Sequence, residues 1–360
     1  MEVNLPVCRN WRAVCRHRFQ ELRILPHMLF SGRLPMLLIS DVDHPETRNL
    51  YSLPDGQVYD LRLPVPYDTR CIGSSHGWLI FLESVSFVVT LFNPFYFGNH
   101  KGTIYLPPFL AAKDYFETNK DYDLFPEYYI TKAVLSIDPV SSPNYTVMLI
   151  HGEDRSLAYY NSGDENWTCV PGSPLFSDLL YSNGRFTAVS LQGELYSSNP
   201  ETNSPELERV TGPLYRPFRS TVRRYIAYDR NKLLQAVRTV EFFSVTNADV
   251  VYRTRGFMVF MLMFVNGIYE WIELEDIGDA ALFVGDSYSY CVKASSFPGI
   301  IPNSVYFTDD FSAVHRQPNQ YKGPIDAGIY MIGDGSLRSH YNPDNIDKHL
   351  VPPIWIMPTL

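Results

Sequence analysis

The sequence predicts an all-β chain: a six-bladed β-propeller preceded by a short N-terminal helical segment. Three observations carry that expectation. Aromatic residues make up 14% of the 360 residues, with 25 Tyr and 22 Phe, side chains that pack well on a pleated surface. The 27 Pro and 21 Gly are spread along the chain instead of gathering in one tail, which marks frequent turns. From residue 35 onward one event recurs: a short apolar run, a turn, an aromatic-rich run, and a third run ending near Pro or Gly.

The helical segment comes first. In residues 7–22 the apolar positions are Val7, Cys8, Trp11, Val14, Cys15, Phe19 and Leu22, the stripe of an amphipathic helix. Arg9, Arg12, Arg16 and His17 lie off the stripe, and "ILP" (24–26) ends it. Two regions are therefore expected: residues 1–34, helix and linker, and residues 35–360, the propeller.

The strand groups follow in order. The first is "LPMLLIS", "NLYSL" and "VYDLRLP"; the second "GWLIFL", "VVTLFNP" and "GTIYLPP". The third is "YTVMLIHG", "LAYYNSGD" and "NWTCVPG", and the fourth "RFTAVSL", "GELYSSNP" and "LERVTGP". The fifth runs from "RYIAYD" through "KLLQAVRTV" and "RGFMVFMLMFV" to "GIYEWIEL". The last holds "AALFVG", "SYCVKA", "NSVYFTDD", "GIYMIGDG" and "PPIWIMPT", five runs that leave its first strand open. One meander cannot cover both of its faces, whereas stacking around an axis buries both. A β-sandwich is the structural alternative, but 326 residues is long for one.

Three stretches are ambiguous. Leu233, Leu234 and Val237 sit at helical spacing within 229–243, yet "YIAYD" reads as a hairpin arm and "RN" as its turn, so strand is expected. Residues 109–126 read as a loop with at most one helical turn, and "FMVFMLMFV" (257–265) as a buried strand. Nine apolar residues are too few to cross a bilayer as a helix.

Net charge is −9, unevenly spread: residues 1–34 carry six Arg against Glu2 and Glu21, or +4, which leaves −13 on residues 35–360. An acidic body argues against nucleic acid as a partner. No signal-peptide pattern opens the chain, and five widely spaced Cys read as buried thiols of a reducing compartment. A cytoplasmic or nuclear protein with no membrane partner is expected.

No motif for catalysis, cofactor or metal emerges. Cys8, Cys15 and His17 lack a second ligand pair for zinc, and neither a phosphate-binding Gly-rich loop nor a nucleophile elbow occurs. "NSGDENWTC" (161–169) departs from a sialidase Asp-box: the Gly is missing and Trp167 comes early. Asp309 and Asp310 are adjacent carboxylates, but neighbours on a strand diverge, so caps for backbone N–H groups are expected. His76, beside Trp78 at a strand entry, and His151, between a strand and its turn, sit where propeller loops meet ligands. His76, Trp78, His151, Asp309 and Asp310 are therefore the candidate loop-face binding residues of a non-catalytic protein.

"VCRNWRAV" resembles the closing helix of an F-box. "GSSHGWLIF", "TLFNP", "IGDAALFVG", "NSVYFTDD" and "PPIWIMPTL" resemble the C-terminal domain of a plant F-box family with a kink-suppressor-type β-propeller. The resemblance implies a substrate-recognition subunit: the F-box docks on the Skp-type adaptor of a cullin ubiquitin ligase, and the propeller holds a protein substrate. The adaptor interface it implies here is Val7, Cys8, Trp11, Arg12 and Val14, with Trp11 as anchor. Only six residues precede Val7, so the F-box is expected to be reduced to its last helix. A ligase-independent scaffold or kinase-binding propeller, or a degenerate F-box paralogue, is the alternative, and a hydrolase-type propeller the remote one.

Overall fold

The computed structural model describes residues 34–40, 44, 47–63, 65, 70–93, 102–118, 128–198, 207–214, 221–245, 250–310, 326–340 and 353–357. Within them the chain folds into six sheets. Blade one holds β1 (Met36–Ser40), β2 (Arg48–Ser52) and β3 (Gln57–Leu63); blade two holds β4 (Gly73–Ser75), β5 (Trp78–Leu82), β6 (Val88–Phe92) and β7 (Thr103–Pro108). After helix α1 (Leu110–Thr118), blade three follows as β8 (Ile130–Leu135), β9 (Thr146–His151), β10 (Ser156–Asn161) and β11 (Thr168–Cys169). Blade four is β12 (Phe176–Ser182), β13 (Arg185–Ser190), β14 (Leu195–Ser198) and β15 (Leu207–Arg209). Blade five is β16 (Thr221–Asp229), β17 (Lys232–Val245), β18 (Val250–Val265) and β19 (Ile268–Leu274). Blade six is β20 (Ala280–Val284), β21 (Tyr290–Lys293), β22 (Ser304–Phe307), β23 (Gly328–Met331) and β24 (Leu337–Arg338).

The chain closes its own ring. β25 (Ile354–Ile356) leaves the sixth group and joins blade one, pairing antiparallel with β1 so that Trp355 faces Leu37. The fifth run of the last group is thereby reassigned, yet blade six keeps five strands, because β22 pairs parallel with β20 while β21 forms a hairpin with it.

Burial explains why six meanders make one body. The buried apolar residues fall into six clusters, and each spans two adjacent blades. Met36, Leu38 and Leu50 of blade one meet Leu79 of blade two, and Leu180 and Val189 of blade four meet Ile226 and Leu233 of blade five. Each blade thus lends both faces to its neighbours. Hairpins use two-residue turns with positive φ at both positions, as at His76–Gly77, Asn183–Gly184 and Asn266–Gly267.

Residues 229–243 are hairpin strand as the sequence predicts, with Leu233 opposite Tyr228. Three expectations need correction. Residues 110–118 form a nine-residue helix, not a loop: Phe109 and Ala112 are fully buried at the interface of blades two and three, and Phe116 stacks on Phe87 at 5.9 Å. The apolar run of β18 is buried only in its first half, since Met263 and Phe264 overhang the neighbouring blades and are exposed. Cys71 is buried, but Cys169, on a two-residue edge strand, is exposed. Among the described residues no helix is long and apolar enough to cross a membrane.

Candidate functional site: the charged channel mouth and the blade-five overhang

The strands lining the axis begin at one end of the propeller, and their first residues carry charge. Lys132 of β8, Asp178 of β12, Arg223 and Arg224 of β16, and Asp286 and Asp310 of blade six surround a small cleft there. Lys132 pairs with Asp178, both buried. Asp178 also accepts backbone N–H groups of Leu179 and Ile226, each at 2.8 Å, so one carboxylate ties blade three to blades four and five. Burial lifts the Asp178 carboxyl above its ordinary range, with the Lys132 ammonium working against it. Arg70 spans the axis: it donates to the Ile130 carbonyl at 2.8 Å and to Asp286 at 3.1 Å, and lies over the Tyr128 ring. Burial also raises Asp286, against the pull of Arg70. The cleft has room for about one water molecule, too little for a metabolite.

A second ionic network locks blade five to blade six. Arg238, on β17, is fully buried. It donates to Thr254 Oγ1 at 2.7 Å, the Thr308 carbonyl at 3.1 Å, Asp310 at 2.8 Å, and both the carbonyl and carboxylate of Asp326 at 3.1 and 3.0 Å. Its guanidinium lies 4.7 Å from the Phe307 ring centre. Burial works against its charge, but Tyr225, Asp310 and Asp326 outweigh that and hold it well above the ordinary arginine value. The Asp326 carboxyl is raised by burial, with Arg238 opposing.

The candidate loop-face residues do not converge. His76 is exposed in the β4–β5 turn, where its positive φ of 53° is that of a tight hairpin. Trp78 is fully buried, and its indole N–H donates to Asp138 at 2.9 Å across the blade two–three interface. His151 is packed edge-on against Phe109 at 4.9 Å, and burial pulls it down to about 4, so it is neutral. Asp309 and Asp310 lie just past the end of β22, not on a strand, and their carboxylates go to different partners. Asp309 accepts from the Asp326 backbone N–H at 3.4 Å, a cap of the kind expected, but also from the Tyr252 hydroxyl, and Asp310 accepts from the side chains of Arg238 and Tyr225. Both carboxylates are buried, as is His151, so of these residues His76 alone reaches solvent. Val7, Cys8, Trp11, Arg12 and Val14 lie outside the described residues, as do Cys15 and His17.

Sequence reasoning missed Lys132, Asp178, Arg238 and Asp326. A signal was present for two of them. Lys132 interrupts "ITKAVL" and Arg238 interrupts "AVRTV", and a cation within a two-face-buried strand needs a buried carboxylate. Among the described residues no three His, Cys, Asp or Glu side chains gather as metal ligands would.

Among the described residues, the exposed large apolar side chains gather most densely on blade five. β17 and β18 run 14 and 16 residues, far past their neighbours at both ends. Phe242 and Phe243 are exposed at one end; Met263, Phe264, Ile268, Tyr269 and Ile272 are exposed at the other.

Comparison with known proteins agrees with this architecture. The chain is 24% identical over 324 residues to F-box protein SKIP23 of Arabidopsis thaliana, covering 81% of this chain and 76% of that protein. It is 24% identical over 269 residues to the Arabidopsis protein named "Putative F-box protein At5g55150", covering 72% and 70%. With the Arabidopsis F-box protein At4g35733 it shares 24% over 296 residues, covering 77% and 75%. Residues 50–331, from β2 to the end of β23, match the KIB1-4 beta-propeller, and the chain belongs to that family.

Proposed function

We propose that this protein is a substrate-recognition subunit of an SCF-type ubiquitin ligase, in which the propeller binds a protein and residues 1–34 bind a Skp-type adaptor. The observation that carries the reading is the run of F-box relatives, one of which aligns over 81% of the chain. Two structural facts support it. Ion pairs fill the channel mouth, leaving space for about one water, which suits a scaffold better than a small-molecule enzyme. Blade five holds out apolar side chains that gain by being covered. Trp11 is the proposed adaptor anchor, with Val7, Cys8, Arg12 and Val14 beside it, because large aromatics dominate interface energies.

The test is capture of the full-length chain by an immobilised plant Skp-type adaptor, followed by probing for cullin. Wild-type protein is retained with cullin, and Trp11→Ala loses most of both while its thermal unfolding is unchanged. Failure of the wild-type chain to bind any member of an adaptor panel would count against the ligase reading.

A further inference from the structure

The β18–β19 hairpin is anchored at its root and free at its tip. Leu274 packs into the cluster between blades five and six, and the Trp271 indole N–H donates to the Gly193 carbonyl of blade four at 3.0 Å. Beyond that, the register places Phe264 opposite Tyr269, rings 5.0 Å apart, on one face. Met263 and Glu270, and then Val265 and Ile268, pair on the other. Phe264 is 64% exposed and Ile268 57% exposed, although each is large enough to belong in a core.

Among the described outer edges, β19 and the equally long β3 are the two with seven residues and no Pro, Gly or Lys; β3 carries Arg62, whereas the charges of β19 are all carboxylates. Outer strands β11, β15 and β24 are two or three residues long, and β7 ends in Pro107–Pro108, which cannot donate to a further strand. β19 is seven residues, "IYEWIEL", with no Pro, Gly or Lys to block pairing. The charges of its own segment are of one sign, although Lys293 reaches Asp279 at 3.8 Å at the hairpin's root. Residues 266–280 contain Glu270, Glu273, Glu275, Asp276 and Asp279, all exposed, and no Lys, Arg or His.

We propose that the β19 edge takes up an extended segment of a protein partner in which Lys or Arg alternates with apolar residues, adding a fifth strand to blade five. Backbone hydrogen bonds would supply affinity, the exposed apolar side chains of the hairpin would be covered, and the carboxylates would select the basic positions. A second copy of this chain fits poorly, because edge-to-edge pairing would set Glu270 and Glu273 against like charge. The inference rests on the protein-binding reading above and names the chemistry of its ligand.

The experiment uses the full-length chain and a fluorescein-labelled octapeptide of alternating Lys and Val or Ile, beside a control with Glu in place of Lys. Anisotropy reports affinity, and hydrogen–deuterium exchange locates the site. Expected results are saturable binding of the basic peptide alone, new protection of Ile268–Leu274, and affinity about ten-fold weaker in Glu270→Lys/Glu273→Lys, as two reversed exposed ion pairs imply. Equal binding of the acidic peptide, or protection confined to other strands, would overturn the proposal. So would β19 already protected in the free monomer, which assigns the edge to the chain's own basic N-terminal segment, or protected through self-association. Adaptor capture is measured on the same variant. Retained capture without peptide binding refutes this inference alone, whereas peptide binding without capture refutes the ligase reading alone.

Discussion

Replacing Arg238 by Met removes the cation that joins blades five and six, and the structure sets the scale of the loss. The fully buried guanidinium makes five hydrogen bonds at 3.1 Å or less and satisfies two carboxylates, Asp310 and Asp326. Asp310 keeps the Tyr225 hydroxyl at 2.7 Å and Asp326 keeps Thr254 at 2.8 Å, but neither keeps a buried counter-charge of equal quality. Breaking a buried pair from one side costs about 3–5 kcal/mol, and that is the expected fall in unfolding free energy at pH 8. The loss depends on pH. Burial already raises the Asp326 carboxyl and Arg238 opposes that rise, so without Arg238 the variant is hurt least where Asp326 is protonated and increasingly as pH rises through its folded value. Urea unfolding followed by tryptophan fluorescence at pH 5 and pH 8 reads both effects. Adding Asp310→Asn and Asp326→Asn to Arg238→Met should recover at least half of the loss at pH 8, since neither carboxylate is then buried without Arg238, although Arg223 gives up its 3.9 Å contact with Asp310. A loss under about 1 kcal/mol, or one equal at both pH values, would refute the reasoning.

Other consequences are as specific. Burial pulls His151 and His340 down to about 4 from 6.5, so the unfolded chain binds the extra protons; stability is full above about 6.5 and falls toward pH 4, and His151→Phe should flatten that slope in thermal melts. Trp355 is fully buried, donates to the Val284 carbonyl at 3.0 Å and meets Phe283 edge-on at 5.0 Å, so Trp355→Ala should cost about 3–5 kcal/mol and open the ring at blade one. A Cβ at Gly73 would lie 2.0 Å from the Ala133 carbonyl oxygen, backbone against backbone, so Gly73→Ala should give aggregated protein or a sharply lower melting temperature.

Much of the fold was legible because the middle strands of each blade are apolar enough to be found singly. Three of the six strands at the axis, β4, β8 and β12, were not. β4 is "GSS", and β12 places Ser177 and Asp178 among its apolar residues, because crowding and polar pairing near the axis replace the usual alternation. β25 reads like any short apolar strand, and nothing local says that it pairs with β1, which ends at Ser40 at the far end of the chain. The helix at 110–118 lacks acidic residues in its first turn and basic ones in its last; the aromatic cluster around Phe87 and Tyr129 holds it. In β18 the unbroken apolar run implied burial, and only the lengths of the neighbouring blades decide that Met263 and Phe264 stand clear of them. The binding candidates were chosen by residue type near turns, and for Trp78, His151, Asp309 and Asp310 that type answers a packing need. The charged mouth joins residues of five blades, a proximity no local pattern carries.

In the proposed assembly one chain bridges an adaptor and a protein segment through separate surfaces. Sedimentation of the full-length chain with a Skp-type adaptor and the fluorescein-labelled basic peptide tests it directly. A single species holding all three components is expected, with Trp11→Ala shedding only the adaptor and Glu270→Lys/Glu273→Lys shedding only the peptide. Competition between adaptor and peptide for the chain, or loss of both through either variant, would contradict it.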